Sequence, residues 1–156
     1  DDADVFERAI AIAASLVLSA DRTGLTTRFV TGGGIDLRGP DVASNTLHTL
    51  APIELGPALG ELERDPGEGL GLVIVVTSSP AADAWRQTER LVDPSLTRIG
   101  VFTAGAEPSR LNVDAATIQR FRTQWAHLAG VHGLTRSTPV STTVEASART
   151  APEPVA

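Results

Sequence analysis

The chain has 156 residues, 42% of them hydrophobic, which is enough for one compact domain with a real core and little more. It has no cysteine, which excludes disulfides, thiolate chemistry and cysteine-ligated metals together, and its net charge of -6 argues against a phosphate-backbone partner, which needs a clustered basic face. No apolar run approaches the roughly 20 residues of a membrane helix, and no charged start leads into an apolar core as in a signal peptide.

The chain also lacks methionine, even at position 1, so it reads as a processed or excised piece whose beginning lies upstream. All 13 basic residues are arginine, which reads as a composition bias rather than a device.

Asp4 and Glu7 have the form of a helix start, an acceptor at the cap and a carboxylate three residues on. Phe6, Ala9, Ile10, Ala13, Leu16, Val17 and Ala20 then recur at helical spacing on one broad apolar face, and the helix is expected to stop before Gly24. Residues 25–31 follow as a strand with Arg28 where one face meets water, and the glycines at 32–34 end it. Residues 35–40 read as a loop or a very short strand. Asp41 is placed to cap a helix carrying Val42, Ala43, Leu47, Leu50 and Ala51, ended by Pro52. Pro57 suits the first turn of a further helix, with Leu55, Leu59 and Leu62 inward and Glu61, Glu63 and Arg64 outward, and residues 65–69 turn the chain back.

The greasiest stretch comes next. Leu72, Val73, Ile74, Val75 and Val76 run apolar without alternation, which predicts a central strand of a parallel sheet, covered on both faces. Asp83 then caps a helix burying Ala84, Trp85, Thr88, Leu91 and Val92. Asp93 and Pro94 break it, and residues 98–103 form another strand with a loop over 104–110 at its carboxyl end. The last helix is expected from near Asp114, with Ile118, Phe121, Trp125 and Leu128 as its stripe and Gly130 closing it. Beyond about Thr135 the chain is Ser, Thr, Pro, Ala and Glu without an aromatic, too poor in apolar bulk to offset its ordering entropy, and is expected to be disordered. Alternating strands and helices with short links predict an α/β fold over residues 1–134, a doubly wound, mostly parallel sheet with helices on both faces, followed by the tail 135–156.

Ligands gather at the carboxyl ends of strands in such sheets, which here are Thr31 with the glycines 32–34, Thr77 with Ser78 and Ser79, and residues 103–107. The triple glycine is not followed by a helix start or a Gly-Lys-Ser/Thr ending, so it reads as a turn rather than a phosphate loop. Ser78 lacks the small residues two before and two after it that a nucleophile elbow needs, since Val76 and Pro80 stand there, and Ser79 reads as a helix cap. His48, His127 and His132 share no metal-ligand offset and read as surface or rim residues. Glu61, Glu63 and Asp65 read as a solvated face, and Trp85 and Trp125 as core or interface. Asp93, Pro94, Ser95, Leu96 and Thr97 spell an adhesion-site run, but they precede a strand instead of following one, so they read as a turn.

Phe6 to Ala9 leading into Ala13, Ala14, Ser15 and Leu16, then Gly24 and Arg28, Phe29, Val30 and Thr31, together with Gly71 to Val76 before a serine-rich strand end, resemble the bacterial proteins of domain of unknown function 58. Those proteins carry a von Willebrand factor A-like domain. The resemblance covers about residues 6–130 and implies that fold, incomplete at its N-terminus. It also implies anchoring helices upstream, hence a cytoplasmic domain tethered to the inner membrane by segments outside this chain, and a MoxR-type AAA+ ATPase as partner. The wider group uses a metal-ion-dependent adhesion site whose Asp-x-Ser-x-Ser run would lie upstream of Asp1, and whose later aspartate is replaced here by Thr77, Ser78 and Ser79. A hydroxyl cluster without a carboxylate holds a hard divalent cation poorly, so the site is degenerate and no cofactor or metal is expected.

The missing first strand would lie between residues 25–31 and 71–77, and the expectation is that an upstream segment or a second chain supplies it. These readings together give a non-enzymatic protein-interaction domain. Its expected contact residues are Asp36, Arg38, Asp41, Glu107 and Arg110, beside the strand-end hydroxyls of Thr77, Ser78 and Ser79. The alternative is a small α/β enzyme or small-molecule-binding domain using those hydroxyls, and a third reading is a structural module of a larger assembly.

Overall fold

The computed structural model describes residues 1–31, 35–54 and 71–131. The glycine turn at 32–34, the helix begun by Pro57, the turn at 65–69, the face of Glu61, Glu63 and Asp65, His132 and the tail 135–156 lie outside the described residues.

Helix α1, Asp2–Arg22, starts earlier than its capping pattern predicts. Asp1, not Asp4, is the cap and accepts from the Ala3 N–H at 3.2 Å, while Asp2 and Asp4 fall in the first turn, where a carboxylate favourably meets the positive end of the helix dipole. The helix stops where expected. Gly24 takes φ of 71°, and the N–H groups of Gly24 and Leu25 return to the Asp21 and Ala20 carbonyls at 3.0 and 2.9 Å, closing a Schellman-type end.

Only Phe29–Val30 of the strand predicted over 25–31 forms a ladder. This β1 pairs antiparallel with β2, Asp36–Leu37, in a two-stranded sheet of its own, rather than joining the parallel sheet. The five-residue link between them is too short for any parallel crossover, so a hairpin is the geometry the chain allows. Arg28 does not face water as expected. Its side chain is 13% exposed and forks onto Asp36 through Nε and Nη2 at 2.9 and 2.8 Å. Helix α2, Val42–Leu50, buries Val42, Ala43, Thr46 and Leu50, and Asp41 holds the cap position without making a side-chain cap bond.

The main sheet has three parallel strands: β3, Leu72–Thr77, β4, Thr97–Phe102, and β5, Asn112–Asp114, in the order β3-β4-β5. The expectation of a central strand at 72–77 is corrected here. Among the described residues β3 is an edge and β4 is the middle strand. Every residue of β3 is half-buried, whereas Ile99, Val101 and Phe102 of β4 are fully enclosed. An unbroken aliphatic run reports that both faces are covered and says nothing about the edge, which is why composition alone promoted it.

Helices lie on both faces of this sheet. Ile12 and Leu16 of α1 and Phe121, Trp125 and Leu128 of α4, Ile118–Val131, pack with Ile74, Val76, Ile99, Val101 and Val113 on one side. On the other, α3, Asp83–Leu91, sets Trp85 edge-on to Phe102 with ring centroids 5.2 Å apart. Each aliphatic or aromatic residue enclosed in this way contributes about 1.5–3 kcal/mol of gross burial energy. The other flank of α1 carries Val17 and Leu18 against Val42, Ala43 and Phe29, so one helix roofs both the sheet and the hairpin.

Three further boundaries differ from expectation. Ser79 and Asp83 do not cap α3, whose cap position is Ala82. The strand β5 had no sequence signal, being three residues long, and α4 begins at Ile118 because Asp114 belongs to that strand. Gly130 does not close α4, which continues to Val131. The run Asp93 to Thr97 is the turn it reads as: Asp93 Oδ1 accepts from the Ser95 N–H at 2.8 Å, the Asp93 carbonyl accepts from Leu96 at 3.0 Å, and β4 starts at Thr97. None of the described helices is long and apolar enough to cross a membrane.

Candidate functional site

Parallel register sets Thr77 beside Phe102 and Phe102 beside Asp114, so the three strands end together and the residues following them form one crest. The expected hydroxyls stand on it. Thr77 and Ser79 are half-buried and Ser78 is exposed. Their backbones are tied to the next strand: the Thr103 N–H and hydroxyl donate to the Thr77 carbonyl at 2.9 and 3.3 Å, and the Ala104 N–H donates to the Ser78 carbonyl at 2.8 Å.

Two charged residues that sequence reasoning missed complete this end. Arg8 of α1 donates through Nη2 to the Thr103 carbonyl at 3.0 Å, and its buried Nε has no partner among the described residues. Asp114 is buried; its Oδ1 accepts from the Ala116 N–H at 2.9 Å, its Oδ2 from Arg120 Nη1 at 3.0 Å, and its own N–H donates to Gln124 Oε1 at 2.7 Å. Both carboxylate oxygens are therefore occupied in shaping the entry to α4. Gly105, at φ of 100°, passes close enough that an added Cβ would lie 3.5 Å from Asp114 Oδ1.

A hydroxyl nucleophile needs a base within hydrogen-bond reach. His48 lies on α2 with Nδ1 2.9 Å from the Ser44 carbonyl, and His127 is exposed on α4. Among the described residues no three His, Cys, Asp or Glu side chains converge as a metal site would require.

The predicted contact residues fall into separate groups. Asp36 accepts from Arg28 and also from Arg38 Nε and Nη2 at 3.3 and 3.1 Å, and this pair of guanidinium groups holds its carboxyl well below the usual carboxylate range. Asp41 follows at the start of α2. Glu107 and Arg110 are exposed in the loop between β4 and β5.

At the opposite end of the sheet lies a groove of about 440 Å³ lined by Trp85, Leu96, Thr97, Arg98, Ser109, Leu111 and Asn112. Sequence reading placed Trp85 at a core or interface and Arg98 at a strand start without joining them. The signal available was an arginine opening the strand that follows a tryptophan-bearing helix. A scan of protein-family models, a search of curated proteins and a search of solved structures each found no match to this chain.

Proposed function

We propose that this chain is a non-enzymatic protein-interaction domain, resembling a von Willebrand A-like domain whose metal-ion-dependent adhesion site has degenerated to the hydroxyls of Thr77, Ser78 and Ser79. The observation that carries the reading is the outer edge of β3. Six residues without charge or proline, in unbroken register with β4, form an edge whose only strand neighbour among the described residues is β4. Natural edges are blunted by those devices, and an edge lacking them is a template for strand addition. Helix α1 packs on one face of β3 and α3 contacts it from the other, so an added strand would extend a sheet whose edge strand is already covered on both faces. Each buried backbone group left unpaired there costs about 1–3 kcal/mol, which a docked strand would recover. An upstream segment or a second polypeptide supplies that strand, and a MoxR-type AAA+ ATPase is the partner that the resemblance suggests for the assembled domain.

Hydrogen exchange and partner capture test this reading. In the chain alone, amides of residues 72–77 should alternate between slow exchange toward β4 and fast exchange at the open edge. Supplying the upstream segment should slow the fast set. Purified MoxR-type ATPase should be captured by the assembled domain, less well by a Glu107→Ala/Arg110→Ala variant and equally well by Ser78→Ala. Uniform protection in the chain alone, or loss of a measured hydrolytic activity in Ser78→Ala, would overturn it.

A further inference from the structure

We propose that the groove between α3 and the amino-terminal ends of β4 and β5 captures the C-terminal carboxylate and last aliphatic side chain of a partner polypeptide. Its anchor is Arg98. The guanidinium lies 3.9 Å over the Trp85 ring, and Nη1 donates to the Trp85 carbonyl and to Thr88 Oγ1, both at 3.0 Å. Thr88 is itself buried and donates to the same carbonyl at 2.7 Å, so the arginine is fixed on three sides before any ligand arrives.

What those contacts leave unspent is the Nε and Nη2 edge, which has no partner among the described residues. That edge presents two parallel N–H groups matching the two oxygens of a carboxylate. The chain uses the same edge elsewhere: Arg28 grips Asp36 through Nε and Nη2 at 2.9 and 2.8 Å. At Arg98 no carboxylate of the described residues takes that edge, and the one proposed comes from a partner.

The rest of the lining selects which carboxylate. Leu111 is 45% exposed and Leu96 half-buried, giving an aliphatic side chain a surface to cover. Ser109 and Asn112 are tied to each other through the backbone at 3.0 Å, which leaves the Asn112 carboxamide to meet the peptide group preceding a terminal residue. The volume, about 440 Å³, falls in the range of small-ligand sites and suits the last residues of a chain rather than a folded surface. Since the protein carries a net charge of -6, long-range fields oppose an anion, and capture rests on the direct pair with Arg98. This site is at the other end of the sheet from the crest and does not use the β3 edge, so either proposal can fail alone.

The test is a titration of the ¹⁵N-labelled chain with N-acetyl-glycyl-valine, its C-terminal amide, and pentanoate. The acid should shift the Trp85 indole and Asn112 signals but not the Trp125 indole, and should bind about tenfold or more tighter than the amide or pentanoate. Arg98→Lys keeps the charge but loses the forked edge, and Leu111→Asp adds a repelling charge at an exposed position; each should weaken binding by about tenfold or more. Equal binding of acid and amide would overturn the proposal, as would pentanoate matching the peptide acid, binding unchanged in both variants, or no shift at tens of millimolar peptide.

Discussion

Gly100 sits directly beneath the Phe102 ring: a Cβ built on it would lie 2.6 Å from Phe102 Cε2 and 3.1 Å from Trp85 Cη2. Phe102 is fully enclosed and held edge-on by Trp85, so its ring has nowhere to swing. Gly100→Ala should therefore destabilise by about 1–3 kcal/mol through overpacking, although alanine has the better strand propensity. Urea denaturation of Gly100→Ala, Phe102→Leu and the double variant checks this. The double variant should recover most of the loss, and strictly additive effects would show that the ring is not what excludes the methyl group.

Thr46 presents the opposite case. It is fully buried on α2, and its hydroxyl has no hydrogen-bond partner among the described residues. A buried hydroxyl left unpaired costs about 1–3 kcal/mol, and valine keeps the branched shape without that oxygen. Thr46→Val should raise the thermal midpoint, while Thr46→Ala should lower it by opening a cavity. A lower midpoint in both variants would mean that the hydroxyl has a partner in solution.

How much of this was legible from sequence follows from which forces are local. The apolar spacing of Leu16, Val17, Phe121 and Leu128 reports burial directly, and the helices that carry them form there apart from their ends, although Ile12, the most enclosed residue of α1, stood outside the predicted stripe. The turn at Asp93 and Pro94 and the stop at Gly24 are likewise written in residues that act on their own backbone. Strand order is not local. The five aliphatic residues of β3 were expected at the centre, yet the more mixed β4 holds the middle among the described residues, because neighbours across a sheet leave no mark in either strand's own spelling. The hairpin at Phe29 and Asp36 was missed for a related reason: the Arg28–Asp36 fork that pins it joins residues eight apart with no periodicity. At the crest, hydroxyls could be named from strand ends, but Arg8 and Asp114 reach it through packing that only the assembled layers create.

The Asp36 fork makes stability depend on acid. Its carboxyl ionises more readily in the folded hairpin than in the unfolded chain, because Arg28 and then Arg38 favour the charged form. The stabilisation is thus fully present above the ordinary carboxylate value of about 4 and is lost as pH falls below it toward the lower folded-state value. Asp36→Asn removes the titrating group. Denaturant midpoints of wild type and Asp36→Asn measured from pH 6 down to pH 2 should converge as pH falls, and parallel curves would show that the fork carries no proton linkage.

Asp114 and Arg120 form an ion pair whose two partners should respond unequally to removal. Asp114 is 11% exposed and its other oxygen accepts from the Ala116 N–H, whereas Arg120 is 61% exposed. Truncating the arginine removes one largely solvated contact, for a cost of about 0–1 kcal/mol. Truncating the aspartate also strands the Ala116 donor at the entry to α4, where a charge-assisted bond contributes about 1.5–3 kcal/mol. Asp114→Ala should therefore cost more than Arg120→Ala, with Asp114→Asn between them because its amide oxygen still accepts from Ala116. Denaturant unfolding of the three variants settles the order. Equal losses for Asp114→Ala and Arg120→Ala would mean that the ion pair, not the turn bond, is what Asp114 supplies, and would leave that carboxylate oxygen free for another role at the crest.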